Sequence, residues 1–175
     1  MRKTLIENLT QGPLTEPAPT PDEAGLAELA KRVDHLARAK LGRSLSIRQV
    51  DAGSCNGCEL EIHALNNAFY DLERLGLRFV ASPRHADLLM VTGPVTKSMR
   101  EALKRTYDAT PDPKWVIAVG ACAADGGIFA GSYAVEGGVK DVIPVDLHIR
   151  GCPPSPTELL KGLVALLQAA RGPLR

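Results

Sequence analysis

The sequence has few aromatic residues, no long hydrophobic run and almost no net charge. Aromatic side chains make up 4% of the 175 residues, too few for a surface that stacks nucleic-acid bases. The 21 basic and 20 acidic residues leave a net charge of +1, which argues against a general nucleic-acid binder. The most apolar run, 116–124, is far shorter than the roughly 20 residues that a membrane-spanning helix needs.

Cysteine is also scarce, and the sequence begins without the features of an export signal. The first seven residues are basic, but they lack an apolar segment and carry no twin arginine. Chains that are not exported rarely contain structural disulfides, so we expect the four cysteines to bind metal or to act in redox chemistry. Hydrophobic residues make up 45% of the chain, which is enough for one packed domain.

Two parts of different character follow one another along the chain. Residues 1–21 are rich in proline, threonine and polar residues, which predicts an extended arm. A capping box at 20–23, with Pro21 at the first helical position, predicts an amphipathic helix over 21–41. We therefore expect the arm and helix of 1–43 to be appended to a domain over 44–175.

From residue 44 onward, apolar strands alternate with helices, which is typical of an α/β fold with an open, mostly parallel sheet. Strands are predicted over 45–50, 77–81, 87–92, 115–120 and 145–149. Helices are predicted over 59–75 and 97–107 and after a second capping box at 155–158. The glycine-rich segment 125–144 is predicted to be a long loop, and loops of that length are usually functional.

Each of the four cysteines follows a predicted strand. Cys55 and Cys58 form a Cys-x-x-Cys pair after the first strand, Cys122 follows the fourth strand, and Cys152 follows the fifth. The carboxyl ends of parallel strands meet at one edge of a sheet, where open α/β sheets bind ligands. The sequence therefore predicts one site that contains all four sulfurs.

Three kinds of site are compatible with cysteines in this arrangement. A thioredoxin-type dithiol would use Cys55 and Cys58 and would leave the other two unexplained. Structural zinc usually combines Cys-x-x-Cys with a second close pair, which this sequence does not have. An iron–sulfur cluster uses four thiolates, and the spacing favours this alternative.

Small residues around the cysteines fit loops that must approach closely. In a sheet of order 2-1-3-4-5, the first and fifth strands lie three spacings apart, or about 14 Å. The ligand loops must then lean together over the third strand, which would explain the small Gly93 after that strand. Gly57 lies between the first two cysteines and allows a similarly close approach of backbone.

The motifs that carry the cysteines resemble those of the small subunit of NiFe-hydrogenases and of the homologous 20-kDa subunit of respiratory complex I. The resemblance rests on 55–59, 120–127 and 147–154, and the stretches 82–87 and 113–117 are especially similar to the complex I relatives. It covers about residues 45–170. It implies a flavodoxin-like fold, in which helices cover both faces of a five-stranded sheet. It also implies one 4Fe–4S cluster bound by Cys55, Cys58, Cys122 and Cys152.

Within this family, the Cys-x-x-Cys spacing is similar to that of hydrogenases. The lack of a leader and of further cysteines makes the chain similar to the short small subunits of membrane-bound, energy-converting hydrogenases, the formate hydrogenlyase and Ech-like group. This resemblance implies electron transfer between a ferredoxin-like iron–sulfur subunit and a NiFe large subunit. It further implies membrane-embedded partner subunits and a location at the cytoplasmic face of the cell membrane.

Two other functions stay open at this point. The first is the equivalent cluster subunit of a complex I-like NADH/quinone or sulfur oxidoreductase. The second is a scaffold that binds zinc and has no redox role.

Three residues outside the ligand set are candidates for further roles. Glu59 is well placed to stabilise the first turn of a helix, and the resemblance raises the alternative that it relays protons toward the large subunit. Arg84, next to His85, is either a solvated loop residue or, as the resemblance implies, a cation that raises the potential of the cluster. Asp125 either caps the glycine-rich loop or lines a partner interface.

Overall fold

The computed structural model describes Thr10 and residues 23–169, so nearly all of the predicted arm lies outside the described residues. The helices are α1 (Glu23–Leu41), α2 (Gly57–Ala64), α3 (Lys97–Ala109), α4 (Ala121–Asp125) and α5 (Pro156–Ala169). The strands are β1 (Leu45–Asp51), β2 (Leu77–Phe79), β3 (Leu88–Thr92), β4 (Val95–Thr96), β5 (Trp115–Val119), β6 (Val135–Gly137) and β7 (Leu147–Ile149). Short 3-10 helices occupy Leu72–Leu75, Pro83–His85, Gly127–Phe129 and Val139–Asp141.

Five of these strands form a parallel sheet in the order β2-β1-β3-β5-β7, which confirms the predicted fold class. β1 pairs with β3 from Ile47 to Asp51, whereas it pairs with β2 only from Leu45 to Ile47. All five strands run in the same direction, so the loops after β1, β3, β5 and β7 emerge at one edge. The sheet therefore brings the segments that contain the four cysteines to the same side of the molecule.

Helices cover both faces of the sheet because each face is apolar. On one face, the buried side chains of α1, α2 and α5 pack against those of the strands, and Val33, Ile62 and Leu163 are fully buried. On the other face, α3 and α4 pack through Leu103 and Ala123. β3 lies at the centre and is buried at all five positions, as expected of a parallel strand covered on both sides. None of the helices over 23–169 is long and apolar enough to cross a membrane.

The helix predicted over 59–75 is confirmed in its first part and is wrong beyond it, because α2 ends at Ala64. The side-chain oxygen of Asn67 accepts hydrogen bonds from the backbone N–H groups of Phe69 and Tyr70, which stabilises a turn instead of a further helical turn. Leu65 and Leu72 are both fully buried, so the apolar spacing that suggested a continuous helix is retained across the break. The last part of this segment is the 3-10 helix that ends at Gly76.

The glycine-rich segment 125–144 contains more regular structure than a loop. β6 pairs with β4 in a small antiparallel sheet that the sequence did not predict. The carboxylate of Asp141 accepts a hydrogen bond from the backbone N–H of Gly138 at 2.8 Å, which fixes the following turn. Val139 and Ile143 of this segment are buried in the same hydrophobic cluster as residues of β3 and α4. These contacts hold the segment against the domain.

Candidate metal centre

A small, mainly apolar cavity at the carboxyl edge of the sheet brings the four cysteines together. Cys55 and Cys152 are exposed at its rim, and Cys58 and Cys122 are half-buried. The cavity is lined by Ser54, Cys55, Gly57, Cys58, Gly93, Ala121, Cys122, Gly151, Cys152 and Pro153. The structure thus collects in one place all four predicted ligands and the two predicted neighbours Gly57 and Gly93.

The loop between β1 and α2 positions the first two cysteines. The carboxylate of Asp51 accepts hydrogen bonds from the backbone N–H groups of Gly53 and Ser54, both at 2.8 Å. Asn56 then adopts a left-handed backbone with φ of 71°, which turns the chain into α2 between the two cysteines. As a result, Cys55 precedes the helix and Cys58 lies in its first turn.

Backbone hydrogen bonds join the loops that carry the other two cysteines. The N–H of Gly120 donates to the carbonyl of Ile149 at 2.7 Å, and the N–H of Ala121 donates to the carbonyl of Gly151 at 2.8 Å. These two bonds extend the pairing of β5 with β7 beyond the strands. They hold Cys122, in the first turn of α4, beside Cys152.

Two glycines leave room for cysteine sulfurs. A Cβ added at Gly120, where φ is +89°, would lie 2.6 Å from the Sγ of Cys58. A Cβ added at Gly127 would lie 2.9 Å from the Sγ of Cys122. Both distances are far shorter than a normal contact, so any side chain at either position would displace a sulfur.

Gly93 and Gly57 have different neighbours in the structure. A Cβ at Gly93 would lie 2.5 Å from the backbone nitrogen of Ser54, so this glycine lets the loop after β3 approach the first ligand loop. A Cβ at Gly57 would lie 3.5 Å from the Sγ of Cys55, an ordinary contact distance. Gly93 is therefore required for the packing of the loops, whereas Gly57 leaves space on the cavity wall.

The thiols at the inner end of the cavity resist ionisation when no metal is bound. Burial raises the pKa of Cys58 to about 12, and the negative charges of Glu59 and of the other three cysteines act in the same direction. Burial also raises the pKa of Cys122, assisted by Cys152 and Cys55. A cation in the cavity would therefore favour the thiolate forms of Cys58 and Cys122.

Glu59 is the most buried charged group at this edge, with 5% of its surface exposed. Its Oε2 accepts a hydrogen bond from the Ser54 hydroxyl at 2.5 Å, whereas its Oε1 is buried without a partner in the described part of the chain. The contact with Ser54 was not predicted from the sequence. It depends on the left-handed turn at Asn56, whose N–H donates to the same hydroxyl.

Arg84 does not line the cavity. It lies on the 3-10 helix Pro83–His85, which precedes β3, and its side chain is exposed. Gly93 and the cysteine loops lie beyond the opposite end of β3. Asp125, in contrast, has a defined role, because its carboxylate accepts a hydrogen bond from the N–H of Gly127 and so caps the glycine-rich turn behind Cys122.

The donor set is suited to a group larger than one ion. Within residues 23–169, no three His, Cys, Asp or Glu side chains lie close enough together to bind a single metal ion. A tetrahedral zinc site would need its sulfurs within about 4 Å of one another, given Zn–S bonds of about 2.3 Å. A cluster of several iron atoms binds each sulfur through a different iron, so four thiols around a common cavity fit it better.

Comparison with known proteins relates this chain to subunits of oxidoreductase complexes. The family model of the NADH ubiquinone oxidoreductase 20 kDa subunit matches residues 55–166. The "Probable membrane-bound hydrogenase subunit mbhJ" of Pyrococcus furiosus is 47% identical over 140 residues, which cover 80% of this chain and 83% of the relative. Formate hydrogenlyase subunit 7 of Escherichia coli is 47% identical over 140 residues, covering 77% of this chain and 55% of that protein.

Two solved structures have a similar fold. A chain of the membrane-bound sulfane sulfur reductase, an archaeal respiratory membrane complex, superposes with a TM-score of 0.65 at 37% identity, covering 79% of this chain and 75% of that chain. A chain of an NAD+-reducing [NiFe]-hydrogenase in the H2-reduced state superposes with a TM-score of 0.56 over 76% of this chain and 96% of that chain. The second pair is 19% identical, so its likeness concerns the fold alone.

Proposed function

The chain belongs to the family of the NADH ubiquinone oxidoreductase 20 kDa subunit, and on that premise we propose that it transfers electrons through one 4Fe–4S cluster in a membrane-associated NiFe-hydrogenase complex. At the level of the family, it is a subunit of the membrane-bound hydrogenase and complex I-like type. The chemistry at hydrogen belongs, in this proposal, to a NiFe site in a partner large subunit. This chain supplies the path for electrons to or from that site.

The observation that carries the proposal is the convergence of Cys55, Cys58, Cys122 and Cys152 on one cavity. These four thiolates would hold the cluster, which supplies a centre that accepts and releases one electron at a time. The cavity wall is mainly apolar, and the two inner thiols are half-buried, so the chain keeps most water away from the centre. α2 begins at Gly57, and its positive end lies beside the anionic ligands.

Exposed apolar side chains in the segments that carry Cys58 and Cys122 support a partner at this edge. Leu60, two residues after Cys58 on α2, has 60% of its surface exposed, and Ile128 and Tyr133, in the segment after Cys122, are exposed by 84% and 90%. Exposed large apolar side chains typically mark a protein interface. We assign the surface of these segments to the NiFe large subunit, and we place a ferredoxin-like subunit and membrane-embedded subunits, at the cytoplasmic face of the membrane, in the same complex.

Two residues beyond the ligands have proposed roles of their own. Glu59 relays protons toward the large subunit, and its burial beside Ser54, at the same edge as the cysteines, supports this assignment. Arg84 raises the potential of the cluster through its positive charge. The exposed position of Arg84 outside the cavity limits how strong that effect is expected to be.

A second candidate function is the equivalent subunit of a sulfur reductase of the complex I type. The 37% identity to a chain of the membrane-bound sulfane sulfur reductase favours it specifically. The two candidates differ in the partner and not in this chain, because a NiFe site requires cysteine pairs of its own in the large subunit. Hydrogen evolution by the purified complex distinguishes them.

Anaerobic metal analysis of the chain co-expressed with its neighbours tests the proposal. We expect about four iron and four sulfide per chain for this cluster, together with a reducible signal in low-temperature EPR. The matched control is a Cys152→Ser variant, which should lose that signal because it removes one of the four ligands. Zinc without sulfide would overturn the redox assignment.

A further inference from the structure

The first strand of the sheet is paired on one side only over its second half. β2 ends at Phe79 and pairs with β1 no further than Ile47. β1 continues for four more residues, to Asp51, and stays paired with β3 along this stretch. The side of β1 that faces away from β3 is therefore an open sheet edge from Arg48 to Asp51.

Gln49 presents its backbone to this open edge. Even-numbered residues of β1 bond toward β3, as shown by the bond from the N–H of Asp87 to the carbonyl of Ser46 and by the bond from the N–H of Ala52 to the carbonyl of Thr92. The last bond on the β2 side runs from the N–H of Val80 to the carbonyl of Ile47. The N–H and C=O of Gln49 point to the same side as those of Ile47, and among residues 23–169 neither has a partner.

A groove of about 280 Å³ lies next to this edge, between β1, α2 and the end of β2. Arg48, Gln49, His63, Asn66, Phe79 and Val80 line it. The guanidinium of Arg48 has no ion-pair or hydrogen-bond partner within the described residues, and its Nε is buried without an acceptor. The groove thus combines unpaired strand backbone with a positive charge that no residue of the described part of the chain neutralises.

We propose that an extended segment of the large-subunit partner lies in this groove, pairs with the backbone of Gln49 as an added strand, and carries an acidic side chain to the Arg48 and His63 end. Strand addition satisfies the free N–H and C=O, as it does in other complexes in which a partner extends an exposed sheet edge. The acidic side chain supplies the counter-charge that Arg48 does not find within residues 23–169. The inference rests on the proposed function, because it takes its partner from there.

The position of the groove supports this occupant. Leu60 precedes His63 by three residues on α2, so the two side chains share one helix face. Leu60 follows the cavity residue Cys58 by two positions on α2 and is exposed, and His63 lines the groove. The exposed face of α2 therefore leads from Cys58 to the open edge of β1. A partner that contacts the cysteine cavity can also reach this edge.

Hydrogen exchange measured at single-residue resolution tests the strand addition. The assembled complex is compared with the isolated chain. In the complex, we expect the backbone N–H of Gln49 to exchange more than about tenfold more slowly, because it gains a hydrogen bond.

Iron, sulfide and EPR measurements on the same sample report on the proposed function separately. A loaded cluster with unchanged exchange at Gln49 would overturn the strand addition alone, whereas an absent cluster would overturn the proposed function.

A surface variant provides a second measurement that does not depend on the strand backbone. His63→Glu places a negative charge in the groove, and it should weaken retention of the large subunit by about tenfold or more through repulsion of the acidic segment. His148→Glu is the matched control, since His148 is also exposed but lies on β7 at the opposite edge of the sheet. Equal retention of the large subunit by both variants contradicts the proposal.

In the hydrogen-exchange experiment, protection of the groove residues without protection of the Gln49 amide also contradicts the proposal. That result would indicate a small molecule or a lipid in the groove.

Discussion

At the scale of single residues, the inner end of the cysteine cavity concentrates negative charge in a place that water reaches poorly. Cys58 is half-buried, and Glu59 directly beside it is almost fully buried. The negative charge of Glu59 disfavours the thiolate of Cys58, and within residues 23–169 the carboxylate of Glu59 accepts a hydrogen bond from Ser54 alone. The reactivity of these side chains should therefore differ sharply between the metal-free and the metal-loaded chain.

In the metal-free chain, we expect Cys58 to react with iodoacetamide at pH 8 at least about tenfold more slowly than Cys55, because the thiolate is the reactive form and burial raises the pKa of Cys58 to about 12. The rate at Cys58 should rise as the pH approaches that value. The folded chain holds this proton more tightly than the unfolded chain does. The contribution of Cys58 to the free energy of unfolding of the metal-free chain is therefore greatest below the ordinary thiol pKa, and it falls as the pH rises toward 12. Mass spectrometry of alkylated peptides measures the rates, and equal rates at the two cysteines would contradict the burial of Cys58.

Replacement of Glu59 tests its role as a proton relay. Glu59→Gln keeps the shape of the side chain and the contact with Ser54 but cannot carry a proton, so we expect hydrogen turnover by the complex to fall by about tenfold or more. The EPR signal of the cluster should not change. Glu61→Gln, two residues further along the same helix, is the control. Unchanged turnover in Glu59→Gln would leave Glu59 with a structural role only.

Arg84 offers an electrostatic test that does not involve proton transfer. Arg84→Met removes an exposed positive charge, so we expect the midpoint potential of the cluster to become more negative. Arg38→Met, on α1, removes an exposed charge at a different position and serves as the control. Redox titration followed by EPR measures both, and an unshifted midpoint potential in Arg84→Met would refute the effect.

At the scale of elements, the loops that follow the strands determine the site. Strand positions, strand order and the edge that carries the cysteines could all be predicted, because buried parallel strands leave clear apolar runs and the ligands follow them directly. The capping box before α5 was also predicted, and the hydrogen bonds between Ser155 and Glu158 confirm it. These features depend on residues that are close together in the sequence.

Features that depend on contacts between distant segments could not be predicted. β6 is a strand only because β4 lies beside it. The break after α2 is local, since the side chain of Asn67 accepts bonds from the backbone of Phe69 and Tyr70, but the apolar spacing that continues across the break conceals it. The approach of the ligand loops to Gly93 was predicted from the sheet order, but its contact with Ser54 was not, because that contact joins two loops that are far apart in the chain. The ligand set and its general position were thus visible in the sequence, whereas the detailed packing that shapes the cavity was not.

Gly120 provides a test of this packing. In Gly120→Ala, the added Cβ would lie 2.6 Å from the Sγ of Cys58, so we expect the iron content per chain to fall severalfold. Gly131→Ala is a matched control, because Gly131 also has a positive φ, of +79°, but nothing lies within 4 Å of its added Cβ. Both variants carry the backbone strain, and only the first displaces a ligand. Similar iron contents in the two variants would contradict the displacement of the Cys58 sulfur, because the two variants share only the backbone strain.

At the scale of the whole molecule, α1 is part of the same hydrophobic core as the domain that follows it. It packs against α5, and Val33 and Ala37 are fully buried. Shortly after α1, Arg43 forms an ion pair with Asp87, which also accepts a hydrogen bond from the backbone N–H of Ser46. The division into an arm with a helix over 1–43 and a domain over 44–175 stays a prediction, and the packing of α1 gives the means to test it.

If α1 contributes to the core, a small cavity in it should destabilise the entire domain. We expect Val33→Ala to lower the free energy of unfolding by about 2 kcal/mol, because it removes two buried carbon atoms and leaves a cavity. Lys31→Ala, at an exposed position on the same helix, should change it by less than about 0.5 kcal/mol. Urea unfolding of the cluster-loaded chain measures both. An unchanged value in Val33→Ala would mean that α1 behaves as a separate unit.

The bonds that join the loops of Cys122 and Cys152 have a consequence for the order of events during biosynthesis. The loops form beside one another only after β7 has paired with β5, and β7 is the last strand of the sheet to leave the ribosome. A growing chain that has emerged only as far as α4 therefore offers three thiols and no closed cavity. On the proposed role, cluster delivery follows the completion of the sheet, and the delivered cluster then acts as a staple across three distant parts of the chain. Its oxidative loss would release all three loops together, so the mature subunit would be most vulnerable to degradation at the moment when it loses its metal.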